Sequence, residues 1–99
     1  MLRHVVLFKW RESATPEERA AACKRIADLA PLFPELTRFD LGQDAGIRDG
    51  MYDAVLVADF PDVETYRAYV THPEHVDVIA EIAPIVAQKA SVQHHLEAP

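Results

Sequence analysis

Apolar residues in the first ten positions fall on both faces of an extended chain. Between Leu2 and Trp10, six of nine residues are apolar: Leu2, Val6, Phe8 and Trp10 share one alternation face, Val5 and Leu7 the other. Neighbouring side chains of a strand point to opposite faces. A sheet with one wet face would alternate more cleanly, so this strand is expected to be covered on both sides. Met51 to Phe60 repeats the pattern as a third strand, apolar at eight of ten positions, with Asp53 and Asp59 the exceptions. Leu36 to Gln43 reads as the second strand and Gln88 to Leu96 as the last. Asp44 to Gly50, with two glycines, is a polar loop.

The helices announce themselves by their caps. In Thr15-Pro16-Glu17-Glu18, Thr15 is placed to cap, Pro16 suits the first helical position, and Glu18 completes a capping box. This helix is predicted to run to about Phe33. Cys23, Ile26, Ala27, Ala30 and Phe33 form its apolar stripe at helical spacing, and Arg19, Lys24, Arg25 and Asp28 its solvated side. Pro31 and Pro34 disturb and then end it. A second helix starts at Pro61-Asp62 with Asp62 as cap, and carries Val63, Tyr66, Tyr69 and Val70. Pro73 interrupts it, a short helix from about Glu74 to Ile82 follows, and Pro84 marks its end or a kink.

The order is βαββαβ. It suits an α+β, ferredoxin-like plait: a four-stranded antiparallel sheet with the helices on one face. The helices cover one face only, yet the strands are apolar on both. A homodimer formed face to face through the sheets is therefore expected.

Composition sharpens this picture by exclusion. The 99 residues are the length of one domain, residues 1–99, with no repeat, low-complexity tract or linker. A chain this long buries roughly two-thirds of the surface its unfolded form exposes, so its own core is modest. Charged residues are 26% and apolar residues 49%, which is not the composition of a disordered chain. Ten basic against sixteen acidic residues leave a formal charge of −6. That balance argues against nucleic-acid partners and against an anionic membrane surface. Cys23 is the single cysteine, so no intrachain disulfide forms, and its apolar neighbours make it a buried small hydrophobe. The apolar start is too short for a signal peptide, and no run reaches the ~20 residues of a membrane span. A cytoplasmic setting is the default.

The densest polar constellation is Tyr66-Arg67-Ala68-Tyr69-Val70-Thr71-His72-Pro73-Glu74-His75. Tyr69, His72 and His75 follow one another at intervals of three, and the intervening proline sets the ring directions at a helix–helix corner. His4 shares a strand face with Val6 and Phe8, where an imidazole is desolvated or hydrogen-bonded. Three readings of these histidines compete. In the first they are structural: His72 caps a helix end, His75 satisfies a carbonyl and His4 is a satisfied core residue. In the second a histidine takes a proton while a tyrosine hydroxyl polarises a carbonyl. The third is a metal site, for which His-x-x-His lacks the zincin spacing, and His94, His95 and Glu97 supply no clear third ligand. His94 and His95 are adjacent on a strand, so their rings point to opposite faces. Neither a metal nor a cofactor is expected. There is no dinucleotide fingerprint, P-loop, paired-cysteine motif or nucleophile elbow.

His4-Val5-Val6-Leu7-Phe8-Lys9, Leu41-Gly42, and the segment from Phe60 through Tyr69 to His72-Pro73-Glu74-His75-Val76 resemble the stress-responsive dimeric α+β barrel family, over nearly the whole chain. The resemblance implies a dimer in which two sheets close one barrel. Some members resemble cofactor-free enzymes such as plant polyketide cyclases, in which a tyrosine and a histidine act on a ligand between sheet and helices. The matching positions are Tyr69 and His75, with His4 as a further pocket histidine. A third-strand pocket histidine of the cyclases falls near Ala54 here, and the last strand carries Gln93-His94-His95 where an acid is common.

The leading expectation is a small, partly apolar ligand in a pocket that includes His4, Val6, Phe8, Tyr52, Tyr69, His72 and His75. The alternative is cofactor-free cyclisation, isomerisation or oxygenation, with His75 as base, Tyr69 as hydroxyl donor and His4 assisting. A third reading has the dimer building a higher oligomer while the histidines brace a corner.

Overall fold

The computed structural model describes residues 1–97. Its elements are β1 (Leu2–Trp10), α1 (Pro16–Ala27), β2 (Arg38–Gln43), β3 (Ala54–Phe60), α2 (Val63–Thr71), α3 (Pro73–Ile82) and β4 (Val86–His95). The sheet is antiparallel throughout, in the order β2-β3-β1-β4. This is the expected plait. The two central strands, β1 and β3, are the ones the sequence marks as most apolar.

One face of β1 is buried: Leu2, His4, Val6, Phe8 and Trp10 lie under the helices. Ala54, Leu56, Ala58 and Phe60 of β3 join them, and Ile26, Leu29, Tyr69, Val78 and Ile82 close the core from above. Phe60, Leu29 and Val78 are the largest fully buried side chains, each contributing roughly 1.5–3 kcal/mol by leaving water. The opposite face is not covered within the chain. Val5, Leu7, Val55 and Val57 are half-exposed there, and Val92 is 58% exposed.

Several boundaries differ from the sequence reading. α1 stops at Ala27 rather than Phe33, and a 3-10 turn spans Ala30–Leu32. Pro31 has no N–H to give and its ring would clash with the carbonyl four residues back, so the α ladder cannot continue. The buried stripe is accordingly Ala22, Cys23, Ile26, Leu29 and Phe33, and Ala27 is exposed. β2 starts two residues late, at Arg38, because the chain from Phe33 to Leu36 closes a turn. β3 starts at Ala54 because Asp53 leaves the regular ladder. Its carboxylate accepts the Trp10 N–H at 2.8 Å, and its own N–H donates to the Phe8 carbonyl at 2.8 Å. α3 begins at Pro73, one residue early, and β4 spans Val86–His95 rather than Gln88 to Leu96. The capping box at Thr15 and Glu18 and the Asp62 cap are both formed.

Candidate functional site

The break between α2 and α3 builds the site. In a continuous helix the Glu74 N–H would bond the Val70 carbonyl. Pro73 disfavours helical backbone at the residue before it, and His72 is extended, with φ −62° and ψ 134°. The Glu74 N–H donates instead to His72 Nδ1 at 3.1 Å, so His72 caps α3. The freed Val70 carbonyl is taken by His75 Nδ1 at 3.0 Å. A carbonyl only accepts, so Nδ1 of His75 carries the proton. In the neutral ring Nε2 then keeps its lone pair, and it makes no hydrogen bond among the described residues.

His75 lies tilted against Tyr69, with ring centroids 4.4 Å apart and the ring planes at 53°. Tyr69 is 2% exposed, wedged among Phe33, Phe39 and Phe60. Its hydroxyl has no hydrogen-bond partner among the described residues, yet it is not sealed off, since no fully buried side-chain polar atom there lacks one. It opens on a cavity of about 280 Å³ that also receives His4, Val6, Phe8 and His75. Ile26, Leu29, Leu56, Val78 and Ile82 form the apolar wall. The volume is just below the ~300–1,000 Å³ of ordinary small-molecule pockets.

On the sheet side, Gln93 lies directly opposite His4 in the β1–β4 register. Its amide donates to His4 Nδ1 at 3.0 Å and to the Tyr66 hydroxyl at 2.9 Å. A neutral His4 that accepts at Nδ1 carries its proton on Nε2. The Tyr66 ring leans on His4, centroids 5.1 Å apart, and meets Phe60 edge-on.

Burial sets the protonation states. It lowers His4 below its ordinary value, with His75 and Lys89 adding repulsion. It lowers His75 too; the bond to Val70 opposes this, and Lys89 and His72 reinforce it. Both rings are therefore neutral near pH 7. Burial lifts Tyr69 well above the usual tyrosine range, so its hydroxyl is a donor and not a phenolate. Among apolar neighbours the cavity is thus lined by an imidazole with an unprotonated Nε2, a tyrosine with a neutral hydroxyl and a second neutral imidazole. Cys23 is buried, and burial raises its thiol pKa, which makes it a packing group.

Of the residues singled out from sequence, His4, Val6, Phe8, Tyr69 and His75 meet at this cavity. Tyr52 and His72 do not line it. The Tyr52 hydroxyl lies 3.5 Å from the side-chain Oε1 of Gln88, and Gln88 pairs with Lys9 on the sheet's other face. The irregularity at Asp53 breaks the alternation that would have put Tyr52 in the pocket. His72 is occupied by its cap and by Phe33, 5.1 Å away edge-on. Ala54 is buried opposite Phe8, so no third-strand histidine is present. His94 pairs with Arg3 and His95 with Leu2, on opposite faces, and neither lines the cavity. Among the described residues no three His, Cys, Asp or Glu side chains gather as metal ligands. None of those helices is long and apolar enough to cross a membrane. Tyr66, Gln93 and Lys89 were missed as site residues. The even spacing of Lys89, Ser91 and Gln93 was a signal, but only the register with β1 shows which face they take.

The comparisons agree with this architecture. A crystal structure from Thermobifida fusca, described as a dimeric ferredoxin-like protein of unknown function, superposes with a TM-score of 0.88 at 36% identity, covering 96% of this chain and 90% of that one. A hydroxynitrile lyase from Passiflora edulis shares the fold, with a TM-score of 0.85 at 15% identity, over 99% of this chain and 94% of that one. A stress-response A/B barrel domain-containing protein, HS1, from Arabidopsis thaliana is 27% identical over 78 residues, which is 77% of this chain and 72% of that protein. The family model for the stress responsive A/B barrel domain matches residues 2–94, and the chain belongs to that family.

Proposed function

We propose that the chain works as one domain that pairs with a second copy through the outer faces of the two sheets, each protomer holding a small, partly apolar molecule in its cavity. The observation that carries the binding role is an apolar cavity lined by Tyr69 and His75, whose hydroxyl and Nε2 have no hydrogen-bond partners among the described residues. Such groups are satisfied by water or by a ligand's oxygen atoms. The uncovered strip of Val5, Leu7, Val55, Val57 and Val92 supports the dimer. So does the description of the Thermobifida fusca protein as dimeric. The lone buried Cys23 fits a cytoplasmic setting. The test is a thermal melt with small molecules extracted from cells, since a ligand that prefers the folded state raises the melting temperature. A transition that no fraction moves refutes the binding role. Sedimentation over a concentration series reads the dimer and any larger assembly.

One observation favours a second reading, cofactor-free acid–base catalysis. The Val70 carbonyl fixes His75 in the tautomer whose Nε2 is a free base, beside a neutral tyrosine hydroxyl. A base in this position takes a proton from a substrate while Tyr69 donates to its carbonyl oxygen. On any substrate found to turn over, His75→Ala lowers kcat by about a hundredfold or more. An unchanged rate removes His75 from that role.

A further inference from the structure

The helix-facing side of β4 is polar where those of β1 and β3 are apolar. Lys89 stands opposite Phe8, Ser91 opposite Val6 and Gln93 opposite His4. Lys89 and Ser91 both line the cavity. The chain holds sixteen acidic residues and a formal charge of −6, yet no described Asp or Glu lines this cavity. Nor does Lys89 have a carboxylate partner among the described residues. Its charge is felt within the site, since it lowers the pKa of both His4 and His75. The cavity therefore has an apolar depth, two neutral imidazoles that do not repel an anion, and one uncompensated cation beside a hydroxyl at its β4 side.

We infer that the ligand is a small carboxylate with an apolar body, its carboxylate bound by Lys89 and Ser91 and its body among Leu29, Leu56 and Val78. The inference rests on the ligand-pocket reading and adds the charge and orientation of the ligand. Lys89 and Ser91 stand exposed at the β4 rim of the cavity, so the contact gains from being a charge-assisted hydrogen bond, about twice as strong as a neutral one. A neutral analogue of the same shape keeps the apolar contacts and loses this contact alone.

The test is calorimetric titration of the full chain at low salt with 2-naphthoate and 2-naphthylmethanol, which share one ring system and differ in charge. The acid binds at least tenfold tighter than the alcohol. Lys89→Gln, at an exposed position, lowers naphthoate affinity about tenfold and leaves the alcohol within twofold, while Lys89→Arg restores the acid. Ligand binding also raises the NMR titration midpoint of His75, because a nearby anion favours the imidazolium. Equal binding of acid and alcohol, or an indifferent Lys89→Gln variant, overturns the inference and leaves the pocket standing. Failure of both compounds while cell-extract fractions still raise the melting temperature overturns it as well. Failure of both compounds and of every fraction refutes the pocket and this inference together.

Discussion

Replacing Asp59 with asparagine should destabilise the fold by about 2–3 kcal/mol at neutral pH. Asp59 and Arg3 are direct partners in the β3–β1 register. The guanidinium donates twice, from Nε to Oδ1 and from Nη2 to Oδ2, each at 2.8 Å. Arg38 Nε stands 3.8 Å from the second oxygen. The carboxylate side chain is 7% exposed and Arg3 28%. Hydrogen bonds to charged groups contribute roughly 1.5–3 kcal/mol, and breaking a buried pair costs about 3–5 kcal/mol. Arg3 keeps part of its hydration, which holds the loss near the lower of these ranges. Asparagine retains one acceptor and turns an N–H toward a cation.

The pH dependence separates this cause from lost packing. Hydrogen bonding from Arg3 holds the Asp59 carboxyl below its ordinary value of 3.8, with the charges of Arg3, Arg38 and His94 adding to it against the effect of burial. A depressed folded value stabilises fully above the unfolded value. That stability is lost as pH falls through the folded one. Urea melts of both proteins should therefore differ by the full amount at pH 7 and converge below about pH 4. Because the pair lies on the outer face, through which the dimer is proposed to form, the melts are compared at equal chain concentration and corrected with the dimer dissociation constant of each protein measured by sedimentation. A gap under about 1 kcal/mol at pH 7, or one that persists in acid, refutes the reasoning.

Three further outcomes are expected. Tyr69→Phe keeps the aromatic packing and removes an unpartnered hydroxyl, so melts should shift by less than about 0.5 kcal/mol while ligand-induced stabilisation falls; a large destabilisation would reveal a protein partner for the hydroxyl. His4 and His75 should titrate by NMR below their ordinary 6.5, chiefly because burial disfavours the charge. As pH falls below that value the unfolded chain takes up protons first, so stability declines until the folded rings also protonate; midpoints at or above 6.5 would contradict the burial. Thr15→Ala removes the bond from the Glu18 N–H at 3.1 Å and should cost about 1 kcal/mol in denaturant melts, with no change supporting a redundant cap.

The caps at Thr15 and Asp62, the proline break before α3, the two-faced central strands and the βαββαβ order were all determined by the sequence alone. Each depends on residues within a few positions of one another, whose preferences act before distant parts of the chain meet. The same holds for the corner that aims His75, because Pro73 breaks the ladder locally. Element ends were less legible: Pro31 acts locally but its effect reaches back to Ala27, whereas Asp53 acts through the backbone of Trp10 and Phe8, which only the folded chain brings to it. Tertiary structure decided which polar groups share the cavity. Gln93 and His4 are 89 positions apart, and only the antiparallel register puts them face to face. That register also brings Lys89 and Ser91 to the cavity, and the irregularity at Asp53 sends Tyr52 to the other face. A strand's side-chain period is two, so a slip of one residue would exchange the pocket lining for the outer face. The pairing that prevents this slip is a property of the whole sheet.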